Sequence, residues 1–270
     1  MKTSSEKFAI VERYVMTPGI FTMQQRCSDK ERLELIYKTE NFRLKIVGPY
    51  KLNEVDALVL LNLLCIAAQD KKYIQAERQS EKGKKLRSQL DLIAEAVEDP
   101  ALAVETTLYQ FAQILNMNWC GKTAELLQKS LERMCATTFF LERKDRTDGF
   151  RLLSRLVIQK NEVAVCINPL LASAIINKTH FALVDLHILN SLKKPQERLL
   201  FIMLSNAVDR GRQRTFTQEE MRMIMYGEAK NSTVARKQKQ RATEAIKNLN
   251  LPGFSASIND DKIITIERQK

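Results

Sequence analysis

The feature that most constrains this chain is an order of elements that occurs twice. Thr106 to Leu115 predicts a short helix, Asn116–Gly121 a turn and Lys122 to Cys135 a second helix. Strand-like Thr137–Leu141, a charged tip from Glu142 to Asp148 and a return strand from Phe150 to Ile158 follow, with Val163–Ile167 as a third strand. The last third repeats the order. Pro195 to Val208 predicts a helix with a leucine-rich face, and Thr217-Gln218-Glu219-Glu220 is a capping box opening a helix that ends at Gly227. Asn231 to Leu249 predicts a longer, basic helix. Phe254–Ile258 and Lys262–Ile266 then alternate like strands around the polar turn Asn259–Asp261. Helix, turn, helix and hairpin is the order of a winged helix-turn-helix. The expected fold is therefore α+β, helix-rich, with two such units in tandem.

The rest of the chain is assigned around that repeat. Residues 1–41 read as a mixed-charge arm without an assignable role, 42–178 as the first winged-helix domain and 179–270 as the second, with the boundary near Thr179. Within the first, Phe42–Val47 alternates like a strand and stops at Gly48-Pro49, and Asn53 is placed to cap a buried helix reaching about Gln69. A lysine-rich stretch from Asp70 to about Arg87 reads as solvated surface, with a phosphate-contacting patch as the alternative.

Composition agrees with a helical DNA-binding protein. Only 8 Gly and 6 Pro in 270 residues disfavour turn-dense sandwiches and glycine-rich nucleotide folds. The excess of 43 Lys+Arg over 32 Asp+Glu leaves a formal charge of +11, for which nucleic acid is the commonest partner. The longest apolar stretch, Ala57–Ala68, is too short to cross a bilayer and no signal-peptide pattern opens the chain, so a soluble, cytoplasmic protein with no membrane partner is expected. The odd, widely spaced set Cys27, Cys65, Cys120, Cys135 and Cys166 reads as small buried hydrophobes in a reducing compartment.

The basic helix carries the sharpest functional reading. At about 100° per residue, Val234, Gln238, Ala242, Ala245, Ile246 and Leu249 share one arc, apolar except for Gln238. The opposite arc carries Arg236, Gln240, Thr243 and Lys247, flanked by Thr233, Lys237 and Lys239. Arg pairs bidentately with guanine and Gln with adenine, while Lys and Thr reach phosphates. Lys262, in the hairpin beside the helix, joins this DNA-contacting set. In the first unit, Ala124, Leu127, Leu131, Met134 and Cys135 form the packing face, with Lys122, Lys129 and Arg133 opposite. The hairpin tip adds Arg143, Lys144 and Arg146 for backbone contact in a minor groove. Glu125 and Glu132 border that outer face and repel phosphates, so dimerisation is the alternative use of this unit.

Signals for chemistry are weak. Gly121-Lys122-Thr123 ends like a P-loop, but Asn116 stands where that pattern requires glycine. His187 lies in the apolar run Leu186–Leu189 and reads as a structural histidine. No clustered acidic metal signature is present, so no catalytic residue, metal or cofactor is expected.

Three segments resemble the RepC-type replication initiators of IncQ broad-host-range plasmids and, more distantly, TrfA-type initiators of IncP plasmids. They are Gly149–Ser154, Ile167–Ala172, and Ser232–Leu249 with its spacing of Arg236, Lys237, Gln240, Arg241, Glu244, Ala245 and Leu249. Together they span about Thr106 to Leu251. The resemblance implies two winged-helix domains that bind directly repeated sites, iterons, as double-stranded DNA in a plasmid origin. It further implies opening of an adjacent AT-rich region, recruitment of a helicase and primase, and a dimer–monomer balance that sets copy number. The helix at Arg236–Lys247 matches the family's second recognition helix, and Lys122–Arg133 the first. A winged-helix transcriptional repressor binding an operator is the competing function, and a DNA relaxase or nuclease a weaker one.

Overall fold

A computed structural model of the chain describes residues 8–23, 32–38, 40, 42–70, 73–74, 101–168, 171 and 181–270. Most of the lysine-rich stretch after Asp70, the expected boundary near Thr179, and Cys27 lie outside the described residues. The architecture is mixed α+β, with seven α-helices and fifteen strands among the described residues.

Helix α1 (Glu54–Asp70) is the centre of the molecule. Asn53 caps it as the sequence suggested: its Oδ1 accepts from the N–H groups of Val55 (2.9 Å) and Asp56 (3.2 Å), and Asp56 Oδ2 accepts from Asn53 N–H at 2.9 Å. Leu58, Val59, Leu60, Leu61, Leu63 and Leu64 cover more than one face of α1 and are all buried. A helix apolar all round needs cover on every side. Strands β1 (Phe8–Glu12) and β7 (Ala101–Thr107) and helices α3 (Gly121–Ala136) and α5 (Pro195–Ala207) supply it.

Residues 8–22 are packed into the body of the fold, which corrects the expectation of an arm for that part. Strand β1 pairs antiparallel with β12 (Phe181–Asp185), and β2 (Phe21–Thr22) pairs in parallel with β5 (Leu52–Asn53). Ala9, Val11, Val15, Met16, Ile20 and Phe21 are fully buried. Arg13, in the single 3-10 turn between β1 and β2, donates to the carbonyls of Phe181 (3.1 Å) and Asn206 (2.9 Å) and pairs with Asp209. The segment that opens the chain is thus bonded to its last third.

The region read as the first domain is built on two sheets. Strands β3 (Leu33–Lys38), β4 (Arg43–Gly48), β8 (Thr138–Arg143) and β9 (Arg146–Arg151) form one antiparallel sheet in that order. The other runs β10 (Leu153–Gln159), β11 (Glu162–Ile167), β7, β6 (Tyr73–Ile74). The return strand expected from Phe150 to Ile158 is therefore two strands in different sheets. Leu152 and Leu153 are both buried, so the inward–outward alternation slips by one residue there, and the chain changes sheet. Helix α2 (Leu108–Ile114) starts two residues later than expected because β7 runs through Thr107, whose hydroxyl then caps the helix.

The last third follows the expected order closely. After α4 (Leu186–Ser191) and α5 comes a strand the sequence did not suggest, β13 (Arg212–Phe216). Helices α6 (Gln218–Tyr226) and α7 (Ser232–Lys247) follow, then β14 (Phe254–Ile258) and β15 (Ile264–Arg268), in a sheet ordered β13, β15, β14. Strand β15 begins two residues late because the turn extends through Lys262, at φ 61°, and Asn259 Oδ1 accepts from Ile263 N–H.

Candidate nucleic-acid interface

The α6–α7 pair is held by a few directed contacts. Thr217 Oγ1 accepts from Glu220 N–H at 3.1 Å while Glu220 accepts from Thr217 N–H at 2.6 Å, closing the capping box. Helix α6 stops at Gly227, whose φ of +66° disfavours any side chain and where a Cβ would crowd Gly19 Cα at 3.3 Å. Asn231 opens α7, its Oδ1 accepting from Val234 N–H at 2.9 Å.

Between the helices sits Arg222, buried, donating to Gly227 O (2.7 Å) and Gln238 Oε1 (3.3 Å) and pairing with Glu219. This explains the single polar residue on the packing arc of α7: Gln238 accepts from an arginine that also satisfies a carbonyl at the end of α6. The sequence reading missed Arg222. The polar break in an apolar arc was the signal that could have found it.

The two arcs of α7 face as expected. Ala242 and Ile246 are buried, and Val234, Ala245 and Leu249 are half-buried against the domain. Thr233, Arg236, Lys237, Gln240 and Lys247 are exposed. No carboxylate among the described residues pairs with Arg236, Lys237 or Lys247, so three cations face solvent uncompensated. Lys262 is exposed on the β14–β15 turn, also without an ion pair.

Three residues of the set are engaged within the protein. Lys239 is half-buried, and its charge helps to hold the Glu219 carboxyl below the usual range, after the hydrogen bond from Arg222. Thr243 donates back to Lys239 O at 2.9 Å, and Gln240 Nε2 donates to the exposed Glu244 at 3.0 Å.

The first unit presents a different surface. Lys122 is exposed at the start of α3, whereas Lys129 pairs with Glu125 at 2.8 Å. Arg133 does not face outward, and this corrects its placement: it is 8% exposed and forked onto Asp56, which is fully buried. The reason is that α3 is covered on two sides, by α1 and by β10, so a wider arc is buried than its apolar residues indicate. The remaining outer face carries Lys122, Glu125, Leu126, Gln128, Lys129 and Glu132, whose charges cancel.

The hairpin tip is tighter than expected. Arg143 is opposite Arg146 across a two-residue turn of Lys144 and Asp145, and all three basic side chains are exposed. Arg146 pairs with Asp148 at 2.6 Å.

Other expectations are revised by burial. Cys65 and Cys166 are buried, but Cys120 is exposed at the start of α3, where Thr123 lies 3.3 Å from its sulfur and lowers its pKa. His187 is exposed on α4 rather than packed in the core. Among the described residues there is no group of three or more potential metal ligands and no helix long and apolar enough to cross a membrane.

Comparison with solved structures shows the same fold in crystal structures of domains 2 and 3 of RctB. One match has a TM-score of 0.56 at 9% identity, covering 96% of this chain and 97% of the other. A selenomethionine form of the same two domains has a TM-score of 0.59, again at 9% identity, with 96% and 99% covered. No match was found among curated proteins. Residues 9–270, which take in the N-terminal strand, both sheets of the first region and the α6–α7 pair, match the family described as Replication protein C (RepC). The chain belongs to the RepC family of replication initiators.

Proposed function

We propose that this protein initiates plasmid replication by binding directly repeated origin sequences as double-stranded DNA, with α7 as the reading helix. Helix α5, β13, the α6–α7 pair and the β14–β15 hairpin then act as a winged helix-turn-helix, with the hairpin as the wing. The observation that carries this reading is the outward arc of α7: Thr233, Arg236 and Lys237 are exposed on its N-terminal half and free of carboxylates. That half is the part of a recognition helix that enters the major groove. Gln240 joins the readout by exchanging Glu244 for a base edge. Lys247 and Lys262 reach the flanking backbone.

In the first unit the hairpin cations Arg143 and Lys144 contact phosphates, and α3 serves mainly to pack. Its near-neutral outer face suits self-association better than groove reading. Origin opening then follows from bending the DNA across two contact regions, at a deformation cost of several kcal/mol offset by backbone contacts. A helicase and primase are recruited afterwards, and the protein itself is not an enzyme. A transcriptional repressor would use the same helix on an inverted repeat.

The test is binding to fluorescent duplexes from the encoding plasmid's origin, against scrambled duplex, over a salt series. Preference for a direct-repeat fragment by at least about a thousandfold at moderate salt supports initiation at repeats. Equal, steeply salt-dependent binding to both leaves a DNA-coating protein. Preference for one inverted repeat favours the repressor.

A further inference from the structure

A cleft of about 730 Å³ separates the β3–β4–β8–β9 sheet from the last third of the chain, within the range of small-molecule sites. Its walls are mainly apolar: Met16, Leu35, Phe42, Met203, Phe216 and Met223 line it. Glu12, at the end of β1, lines it too. That residue is only 8% exposed, yet among the described residues its carboxylate receives no hydrogen bond and forms no ion pair. A buried carboxylate without a partner is costly, and one that opens on a cavity is satisfied by what enters.

A second unbonded acceptor lies on a lining residue, sealed from the cleft itself. Asn206 uses its amide N–H groups on the carbonyls of Arg13 (3.4 Å) and Met16 (3.1 Å), and its Oδ1 is buried and unbonded. The other charged residues of the lining are mostly committed: Glu220 to its capping box, Arg13 to Asp209, and Arg214 over the ring of Phe216. Uncommitted are Glu12, the exposed Glu228, and the exposed Arg143, close enough to act on Glu12 but not hydrogen-bonded to it.

We propose that this cleft binds a small organic ammonium ion carried on an apolar, preferably aromatic, body. The ammonium donates to the Glu12 carboxylate, and the methionine and aromatic walls take the body. Burial raises the Glu12 pKa to about 7, so near neutral pH the group is poised between acid and carboxylate, and a cation delivered to it favours the carboxylate. Arg143 opposes that cation from the rim. The site is independent of the DNA reading and is assayed without DNA.

The test uses the full chain with labelled methionine methyl groups, titrated with 4-phenylbutylamine, 4-phenylbutanol and 4-phenylbutyrate. The amine should shift the methyl signals of Met203 and Met223 and leave Met134, on the buried face of α3, unmoved. It should bind at least about tenfold tighter than the alcohol, since a charge-assisted hydrogen bond is lost in the alcohol. Glu12→Gln, close in shape, should remove that advantage, whereas Arg143→Gln should strengthen amine binding by about two- to fivefold. Equal affinity for amine and alcohol, tightest binding of the butyrate, or an unchanged amine affinity in Glu12→Gln with intact methyl spectra would each overturn the proposal.

Discussion

The guanidinium of Arg133 is forked onto the carboxylate of Asp56, with Nη2 to Oδ1 at 2.7 Å and Nε to Oδ2 at 3.1 Å, between α3 and the central helix α1. Ser130 Oγ donates to the same carboxylate at 2.6 Å, and Asp56 in turn holds the N-cap of α1. A basic residue that the sequence placed on a DNA-reading helix thus fastens the core instead of facing solvent.

Arg133→Ala is accordingly expected to act on stability. Removing one partner leaves Asp56 buried and uncompensated, at a cost of about 3–5 kcal/mol. Urea unfolding should show a lower midpoint, while the salt slope of DNA binding in the folded fraction stays as in the parent. A loss of DNA affinity with unchanged stability would return Arg133 to the interface.

On α7 the expectation is reversed. Arg236→Ala should cost about 1–3 kcal/mol on the proper site and relax base preference, with no change in the thermal midpoint. Fluorescence anisotropy on the origin repeat and on single-base variants reads both. Unchanged specific affinity would remove α7 from the groove.

Lys237→Ala separates charge from readout. It should weaken binding to all duplexes alike and reduce the slope of log K against log salt by about one. The same measurement on Lys129→Ala should show less, because its charge is already paired with Glu125.

Ile246→Asp places a charge on the buried arc of α7, opposite the exposed cations. The last third should unfold, since an unpaired buried charge costs several kcal/mol. Circular dichroism should register lost helix before any DNA is added.

Stability should also carry a signature of Glu12. Its pKa rises from 4.5 to about 7 on folding, chiefly through burial, with Arg143 pulling the other way. The folded state therefore binds the proton more tightly than the unfolded chain. The contribution is fully present below pH 4.5 and is lost as pH rises towards about 7. Comparing chemical denaturation of the parent and Glu12→Gln across that range should show the fall in the parent alone.

Local chemistry explains what was legible in the sequence. The cap at Asn53, the capping box at Thr217–Glu220, the stop at Gly227 and the two arcs of α7 each depend on residues within a few positions of one another. Helical periodicity and capping are short-range, so they can be read from the chain and were found where expected. The candidate DNA-facing residues Thr233, Arg236 and Lys237 were accessible to the same reasoning.

Tertiary structure decided what depends on a distant partner. Residues 8–23 are largely apolar but show only weak periodicity, and β1 becomes interior because β12, some 170 positions later, offers it an edge. Arg151 and Leu153 belong to different sheets, although the alternation there differs from a single strand by one slip at Leu152. Arg133 is inward because Asp56 waits on α1, and Glu12 is left unpaired because a cleft opens beside it. The sequence by itself determined the helices, their caps and the face of α7, since those follow from backbone geometry repeated every few residues. Only the folded chain decided which charges are spent inside and which remain for a ligand, because burial and pairing are properties of neighbours that sequence distance does not record.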